Sequence, residues 1–401
     1  MFISNRNRKI LMFLTMERHI HLLSFLTMFF YPFLPIIKEW SSLYGTLLEV
    51  ILLIGLFCIS VIRMKKGKIV VLFNKYVAAL VILLVIYFVM NMNDLSVAIS
   101  GLRALLLYIF FYLIENDTRF GQAEIIKITC YGCFITTMIM SIGCVIQFIY
   151  PSLIRSSHNP AAWDSLRTKT DWTPLGIYNR AISFMVDPNV LSAYLFFSFV
   201  LLVIFWKKKK EKKFLLMMSI SVIGLVLTQS RTGIFLFIIY IVSSLVVGQI
   251  RNKHVSINRL IIISGIGVLV ICVVINNWDN ILTFLRVDTL MNGNGRVEKN
   301  AMQIETFFTN TLKLILGNGL FDGREIIFEN SYLMILYMFG IIGTIFWVLL
   351  SSIVFKNIFC AANIEILLCY GAAIFVGDYI LIPQVTLVAI LCLISNICDL
   401  S

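Results

Sequence analysis

Charge-free apolar runs, each close to the length of one bilayer crossing, recur from one end of this chain to the other. FLLMMSISVIGLVL (214–227) and IFLFIIYIVSSLVVG (234–248) are two of them, separated only by TQSRTG. A hydrocarbon core about 30 Å thick takes roughly 20 helical residues to cross. A soluble chain of 401 residues would divide into domains with charged surfaces, whereas 60% of these residues are hydrophobic and 13% charged. In lipid every backbone polar group needs an internal partner, so repeated runs of this kind must be helices. The expected fold is therefore all-α: a polytopic transmembrane helix bundle forming one integral membrane domain over 1–401.

About twelve spans are expected, near 19–37, 41–62, 70–90, 95–114, 126–150, 188–206, 214–228, 233–249, 260–276, 331–354, 362–381 and 384–398. The first run lacks a small-residue cleavage site and is followed by further spans, so it reads as a span and not as a signal peptide. The cysteines Cys58, Cys130, Cys133, Cys144, Cys272, Cys360, Cys369, Cys392 and Cys398 all fall in apolar runs or at their ends. CYGC at 130–133 suggests redox or metal chemistry by spacing alone, but inside a span and without a nearby histidine it reads as packing.

Lysine and arginine set the orientation. KKKKEKK (207–213) is the strongest marker, and placing it in the cytoplasm puts the basic N-terminus, RMKKGK (63–68) and RNKHVSINR (251–259) on the same side. Both termini are then cytoplasmic. The net charge of +12 is explained by orientation and by contact with anionic lipid, without invoking nucleic acid.

Two long loops remain, 151–187 and 277–330, and both fall on the extracytoplasmic side. The first mixes charges with His158, Trp163 and Trp172, more than a solvated connection needs. In the second, Val297, Ala301, Ile304, Phe308, Leu312 and Ile315 recur every three or four positions. That spacing predicts an amphipathic helix on the membrane surface or on the bundle, ended by Gly317 and Gly319 as C-cap and turn.

LTQSRTG (227–233) puts Arg231 between two apolar runs, where a charge is tolerated mainly if it performs a task. On this topology it faces the compartment of the two loops. Arg180, in YNRAISFMVDPN, and Arg296, which opens the loop helix, have comparable settings. Three guanidinium groups at one membrane surface suit a diphosphate, each gripping two oxygens; the plainer alternative is a lipid phosphate at headgroup level. Asp187 and Asn189 flank Pro188 in DPN, which reads either as a helix N-cap with proline in the first turn or as part of the site.

In GLFDGREIIFENSYL, Asp322, Glu325 and Glu329 are carboxylates that could deprotonate a sugar hydroxyl beside arginines, and Glu329 can equally cap the tenth span. Glu49 and Arg103 lie ~12 Å deep in their spans at about 1.5 Å per residue. Equal depth and opposite sign suggest a buried pair facing a cavity, which requires the second and fourth spans to touch and adds Arg103 to the substrate-binding candidates. Asp378, near the outer end of the eleventh span, belongs to the same region on this reading, and Lys75 snorkels. The sequence has no GxxxxGK[ST] and no HExxH, and its histidines (His19, His21, His158, His254) form no metal-ligand pattern. No cofactor and no metal are expected.

Four segments in order, NRAISFMVDPNVLSAY, LTQSRTG, NGRVEKNAM leading to LGNGL, and ENSYLMILYMFGIIGTIFW, resemble the O-antigen polymerase (Wzy) and O-antigen ligase superfamily of bacterial envelope enzymes. That family has a Ser-Arg-Gly-like step after a span, an arginine before a loop helix, a GxG turn, a polar pair (here Glu329–Asn330), and a span with G-x-x-G, here Gly340 and Gly343. The resemblance covers about 180–347, and the first 150 residues match only as generic spans. It implies a multi-pass protein of the bacterial inner membrane acting on glycan carried by undecaprenyl diphosphate. A polymerase moves the growing chain onto the next lipid-linked repeat unit, building lipopolysaccharide O-antigen or capsular-type polysaccharide, whereas a ligase moves it onto another acceptor such as lipid A core.

By position, the resemblance makes Arg180, Arg231 and Arg296 diphosphate ligands; Asn189, Asn330 and, from its depth in the membrane, Arg103 are the other substrate-binding candidates. Glu329 or Asp187 is the base. The ligase branch usually has histidine where this chain has Glu329, which favours polymerase. A chain-length regulator and a repeat-unit flippase are the implied partners, besides membrane lipid. A different class, a twelve-span transporter or flippase, explains the spans but not two long outer loops, and the two halves of the chain show no convincing repeat.

Overall fold

The computed structural model describes residues 21–41, 43–52, 123–150, 181–185, 187–251, 310–319, 331–354, 358–376 and 383–397, together with isolated positions between 79 and 89 and at 356. Among these residues the protein is all helix and turn, with no strand. Four helices are long and apolar enough to cross a membrane: His21–Lys38, Ile126–Ile149, Pro188–Lys209 and Ser331–Ile353. They coincide with four of the expected spans. The spans near 95–114 and 260–276, most of both long loops, and Arg103, Arg180, Arg296, Asp378, Glu329 and Asn330 lie outside the described residues.

In chain order, α1 is the stretch His21–Lys38, and α2 is Leu43–Leu52. They are followed by α3 (Ala123–Ile149), α4 (Pro188–Lys209), α5 (Lys212–Leu227), α6 (Arg231–Arg251), α7 (Thr311–Leu316), α8 (Ser331–Val354), α9 (Ile364–Val376) and α10 (Pro383–Ile397). Pro32 interrupts α1 with a 3-10 turn at Tyr31–Phe33 before the helix resumes at Leu34.

The centre of the bundle is α4, which packs on α3, α5, α6 and α10. A helix that is apolar on every face has no solvent side to present, and 78% of its span is buried within the protein. Phe205 of α4, Phe134 of α3 and Phe214 of α5 meet edge-on and tilted, with centroids 4.9–5.8 Å apart. Such rings fill the interhelical volume and add directional attraction. Small residues permit close crossings, as membrane helices require. A Cβ on Gly132 would lie 2.7 Å from the Phe25 carbonyl of α1, one on Gly224 would meet Ser141 of α3, and one on Gly233 would meet Ser192 of α4.

Cys133 of the CYGC motif lies 3.8 Å from the Tyr194 hydroxyl and 3.7 Å from that of Ser198, while Cys130 faces Ser395 at 3.4 Å. Both thiols are fully buried against these hydroxyls, so the motif packs.

The chain reverses direction between α4 and α5 at Lys210, which takes the left-handed conformation (φ 56°) and returns its N–H to Trp206 O. Near this lysine-rich end Lys208 donates to the carbonyls of Ser395 and Asn396 at the end of α10, at 2.7 and 3.2 Å. Asn363 donates to Ile358 O and Leu393 O at the same end. The ends of α4 and α10 and the start of α9 are thereby tied together. The hydrogen bond to the Glu211 carboxylate raises Lys213 above its ordinary value.

At the other end of the bundle, α3 and α5 finish while α4 and α6 begin. KKKKEKK and LTQSRTG therefore sit at opposite ends of α5, as the sequence expectation requires.

One expectation changes, and one residue gains partners that the sequence did not point to. Arg103, the partner expected for Glu49, lies outside the described residues. In the structure Glu49 of α2 is buried, forms an ion pair with Lys38 of α1, and accepts from the Tyr31 hydroxyl at 3.5 Å. The α1–α2 hairpin brings residues eleven apart face to face, which no single-helix periodicity reveals. The loop helix expected to run from 297 through 315 is not continuous. Asn310 is extended (φ −107°, ψ 93°), and its side chain caps a short helix, α7, by accepting from Lys313 N. The expected glycine stop does occur, with Gly317 at φ 82° and Gly319 at φ 98°.

Candidate functional site

Four helix ends meet at the end of the bundle opposite the lysines, and each leaves backbone groups that need partners. Asp187 precedes α4 in an extended conformation, and its Oδ1 accepts from Asn189 N (2.6 Å) and Val190 N (3.2 Å), with Pro188 in the first turn. The structural reading of DPN is therefore realised. Asn189 then reaches across: its Oδ1 accepts from the Ser230 hydroxyl at 2.8 Å. That bond joins DPN to LTQSRTG, two segments 41 residues apart.

The step between α5 and α6 is tight. Thr228 bonds back to Leu225 O, Gln229 takes the left-handed region (φ 48°), and Ser230 N donates to Thr228 Oγ1 at 3.3 Å. Helix α6 starts at Arg231 itself, so the arginine is half-buried in the first turn and adjacent to the Ser230–Asn189 bond. Thr232 and Gly233 are buried.

A turn at Ala181–Met185 completes the end. Ala181 N donates to Leu227 O at 3.0 Å, and Met185 N to Ile182 O at 2.9 Å. Ser183 is a non-glycine residue at φ 47°. Its N–H and that of Ile182 both donate to Oε1 of Gln147, near the end of α3, at 2.8 Å each. Glutamine 147 is almost completely buried, as is Ser183. Left-handed conformations at non-glycine residues each cost about 1–3 kcal/mol and persist where surroundings over-determine them. Two such residues, Ser183 and Gln229, occur at this one end.

Of the expected site residues, the structure brings together Asp187, Asn189 and Arg231. Ser230, which with Thr232 and Gly233 reads in LTQSRTG as a source of hydroxyls and a tight turn, joins them, as do Gln147 and Ser183, which were not singled out in the sequence. For Gln147 the signal was a lone amide close to the end of an apolar run. Among the described residues no group of histidine, cysteine, aspartate and glutamate is placed to hold a metal ion.

A second polar feature lies in α8. Gly340 has φ 63° and ψ −175°, so the helix is broken there and resumes at once. The freed carbonyls are taken up by the turn after α7: Asn318 N donates to Tyr337 O and Gly319 N to Met338 O, both at 3.0 Å, and Asn318 Nδ2 also donates to Tyr337 O. The Tyr87 hydroxyl donates to Phe339 O at 2.7 Å. Two glycines permit this. A Cβ on Gly340 would lie 2.4 Å from Gly317 N, and one on Gly343 would lie 2.1 Å from the Tyr87 hydroxyl. The GxG turn and the G-x-x-G span are thus two halves of one seam.

No family model, curated protein or solved structure matches this chain.

Proposed function

We propose that this chain is a membrane glycosyltransferase that polymerises oligosaccharide repeat units carried on undecaprenyl diphosphate, as the resemblance to the O-antigen polymerase and ligase superfamily implies. The observation that carries the reading is the Ser230–Asn189 bond, which puts the first turn of α6, with Arg231, against the capped start of α4. A guanidinium held beside amides and hydroxyls suits a diphosphate better than an isolated headgroup contact does. In the reaction an acceptor sugar hydroxyl attacks the anomeric carbon of the donor unit. The carbon–oxygen bond to the diphosphate breaks, the lipid diphosphate leaves with the electron pair, and the hydroxyl proton passes to a carboxylate. Asp187 is engaged as a helix cap, so Glu329 is the better base. Arg180 and Arg296 complete the diphosphate grip, and Asn330 and Arg103 the substrate-binding set. Release of lipid diphosphate drives the transfer without nucleotide, cofactor or metal. A chain-length regulator would act on the growing product.

One observation favours a second reading, a lipid-glycan flippase: α8 is discontinuous, as are many transporter helices that line a substrate path. Against it, the broken ends are filled by Asn318, Gly319 and Tyr87.

The test is purified protein in liposomes supplied with lipid-linked repeat units on the side of LTQSRTG. Longer glycans formed without nucleotide support polymerase, transfer to lipid A core supports ligase, and movement of unextended lipid across the bilayer supports flippase. Arg231→Ala and Arg296→Ala are expected to reach the membrane but lose extension, with lysine rescuing only in part. Full-length polymer from both alanine variants would sink the diphosphate site. Cysteines introduced at Asn300 and Lys210 should label from opposite sides of the membrane.

A further inference from the structure

One side-chain oxygen of Gln147 accepts two successive backbone N–H groups, as Asp187 Oδ1 does within its own cap, but here the bonded groups are 35 and 36 residues away in the chain. We propose that Gln147 is a positioning residue for the substrate-binding end of the bundle, its Oε1 clamping the Ile182–Ser183 turn so that the α4 cap and the LTQSRTG step hold one register. This rests on the reading of that end as the lipid-diphosphate site.

The geometry carries it in three ways. Both bonds are 2.8 Å and lie in the interior, where Gln147 and Ser183 are 1% and 0% exposed. Two buried N–H groups therefore depend on one oxygen, and a buried donor without a partner is strongly disfavoured. The clamp also holds Ser183 at φ 47°, a conformation a serine leaves when released. Finally, the turn has no independent freedom. Ala181 N is bonded to Leu227 O, and four residues after Ser183 comes Asp187, the cap of α4. A shift at Ile182–Ser183 is thus transmitted both to the end of α5, which leads into Arg231, and to Asn189, which bonds Ser230. The glycine at 143 fits the same device, because a Cβ there would lie 2.3 Å from Ser183 Oγ.

The discriminating substitution is Gln147→Met, which keeps length and packing but removes the acceptor. Gln147→Glu keeps an oxygen at the same reach. In nanodiscs, Gln147→Met is expected to stay folded, to exchange the amide hydrogens of 182 and 183 at least tenfold faster, and to bind undecaprenyl diphosphate about tenfold more weakly. In the extension assay its KM for lipid-linked units should rise about tenfold, with kcat changed by less than threefold. Gln147→Glu should restore the slow exchange and most of the binding. A purely structural glutamine would lower the melting temperature and the active fraction while leaving KM and Kd of the folded enzyme alone, and that outcome overturns the proposal. Unchanged exchange at 182 and 183 in Gln147→Met overturns it as well. A wild-type protein that neither binds undecaprenyl diphosphate nor extends lipid-linked units sinks the functional reading itself. A wild type that does both, beside a methionine variant with unaltered KM, sinks only the role of Gln147.

Discussion

The four-helix end and the seam at Gly340 solve one problem in two ways. At each, helical backbone stops inside the protein and leaves polar groups that a low-dielectric surrounding does not forgive. At the four-helix end the partners are side chains: the Asp187 carboxylate, the Gln147 amide, and the Asn189–Ser230 pair. At the seam they are mostly backbone N–H groups of Asn318 and Gly319, reached because Gly317 and Gly340 allow main chain to touch main chain. Side-chain solutions can be adjusted residue by residue and leave functional groups at hand. Backbone solutions are rigid and tolerate little but glycine. The first suits a binding site, and the second suits a structural joint between a loop and a span.

The contrast is broken most severely by Gly340→Ala. A Cβ there meets Gly317 N and forces a left-handed alanine, so a loss of about 3 kcal/mol or more is expected. Thermal unfolding in detergent would show it as a large drop in Tm, and an unchanged Tm would mean the joint is not rigid. Asp187→Ala comes next, losing about 1–2 kcal/mol with its cap. Asp187→Asn should recover that stability. If it also recovers extension, Asp187 is a cap only, whereas stable but inactive protein would make it the base. Tyr87→Phe removes one donor from Phe339 O and should cost about 1 kcal/mol, read as a modest Tm shift with extension intact. Ser230→Ala should be the mildest in stability, at about 0.5–1 kcal/mol. Its effect should instead appear as weaker diphosphate binding, because the Asn189 carbonyl is released beside Arg231.

What could be read from the sequence was whatever has a local cause. Apolar runs marked the four long helices, DPN announced its cap and first-turn proline, and Gly317 and Gly319 announced a stop. The site was legible as far as residues stand in one motif: Arg231, Asp187 and Asn189 were singled out, and the structure sets the latter two and Ser230 in one bonded chain. What escaped depended on distant partners. Gly340 was marked as part of the G-x-x-G, but the break in the helix there was not, because it is stabilised by a turn about twenty residues earlier. The Lys38–Glu49 pair needed the α1–α2 hairpin, and Gln147 needed the turn it clamps. The loop helix was drawn too long because apolar periodicity continues through Asn310, where capping overrides it.

The burial of α4 bears on how the protein is made. Pro188–Lys209 ends up sheathed by α3, α5, α6 and α10, yet three of those four sheathing helices are synthesised after it. While it waits, its phenylalanines must be content with lipid, and afterwards with protein. Its serines are few, and Ser192 and Ser198 are fully enclosed in the finished bundle. A charge introduced into this helix would consequently be rejected twice: once at insertion, when no neighbour exists to shield it, and again at assembly.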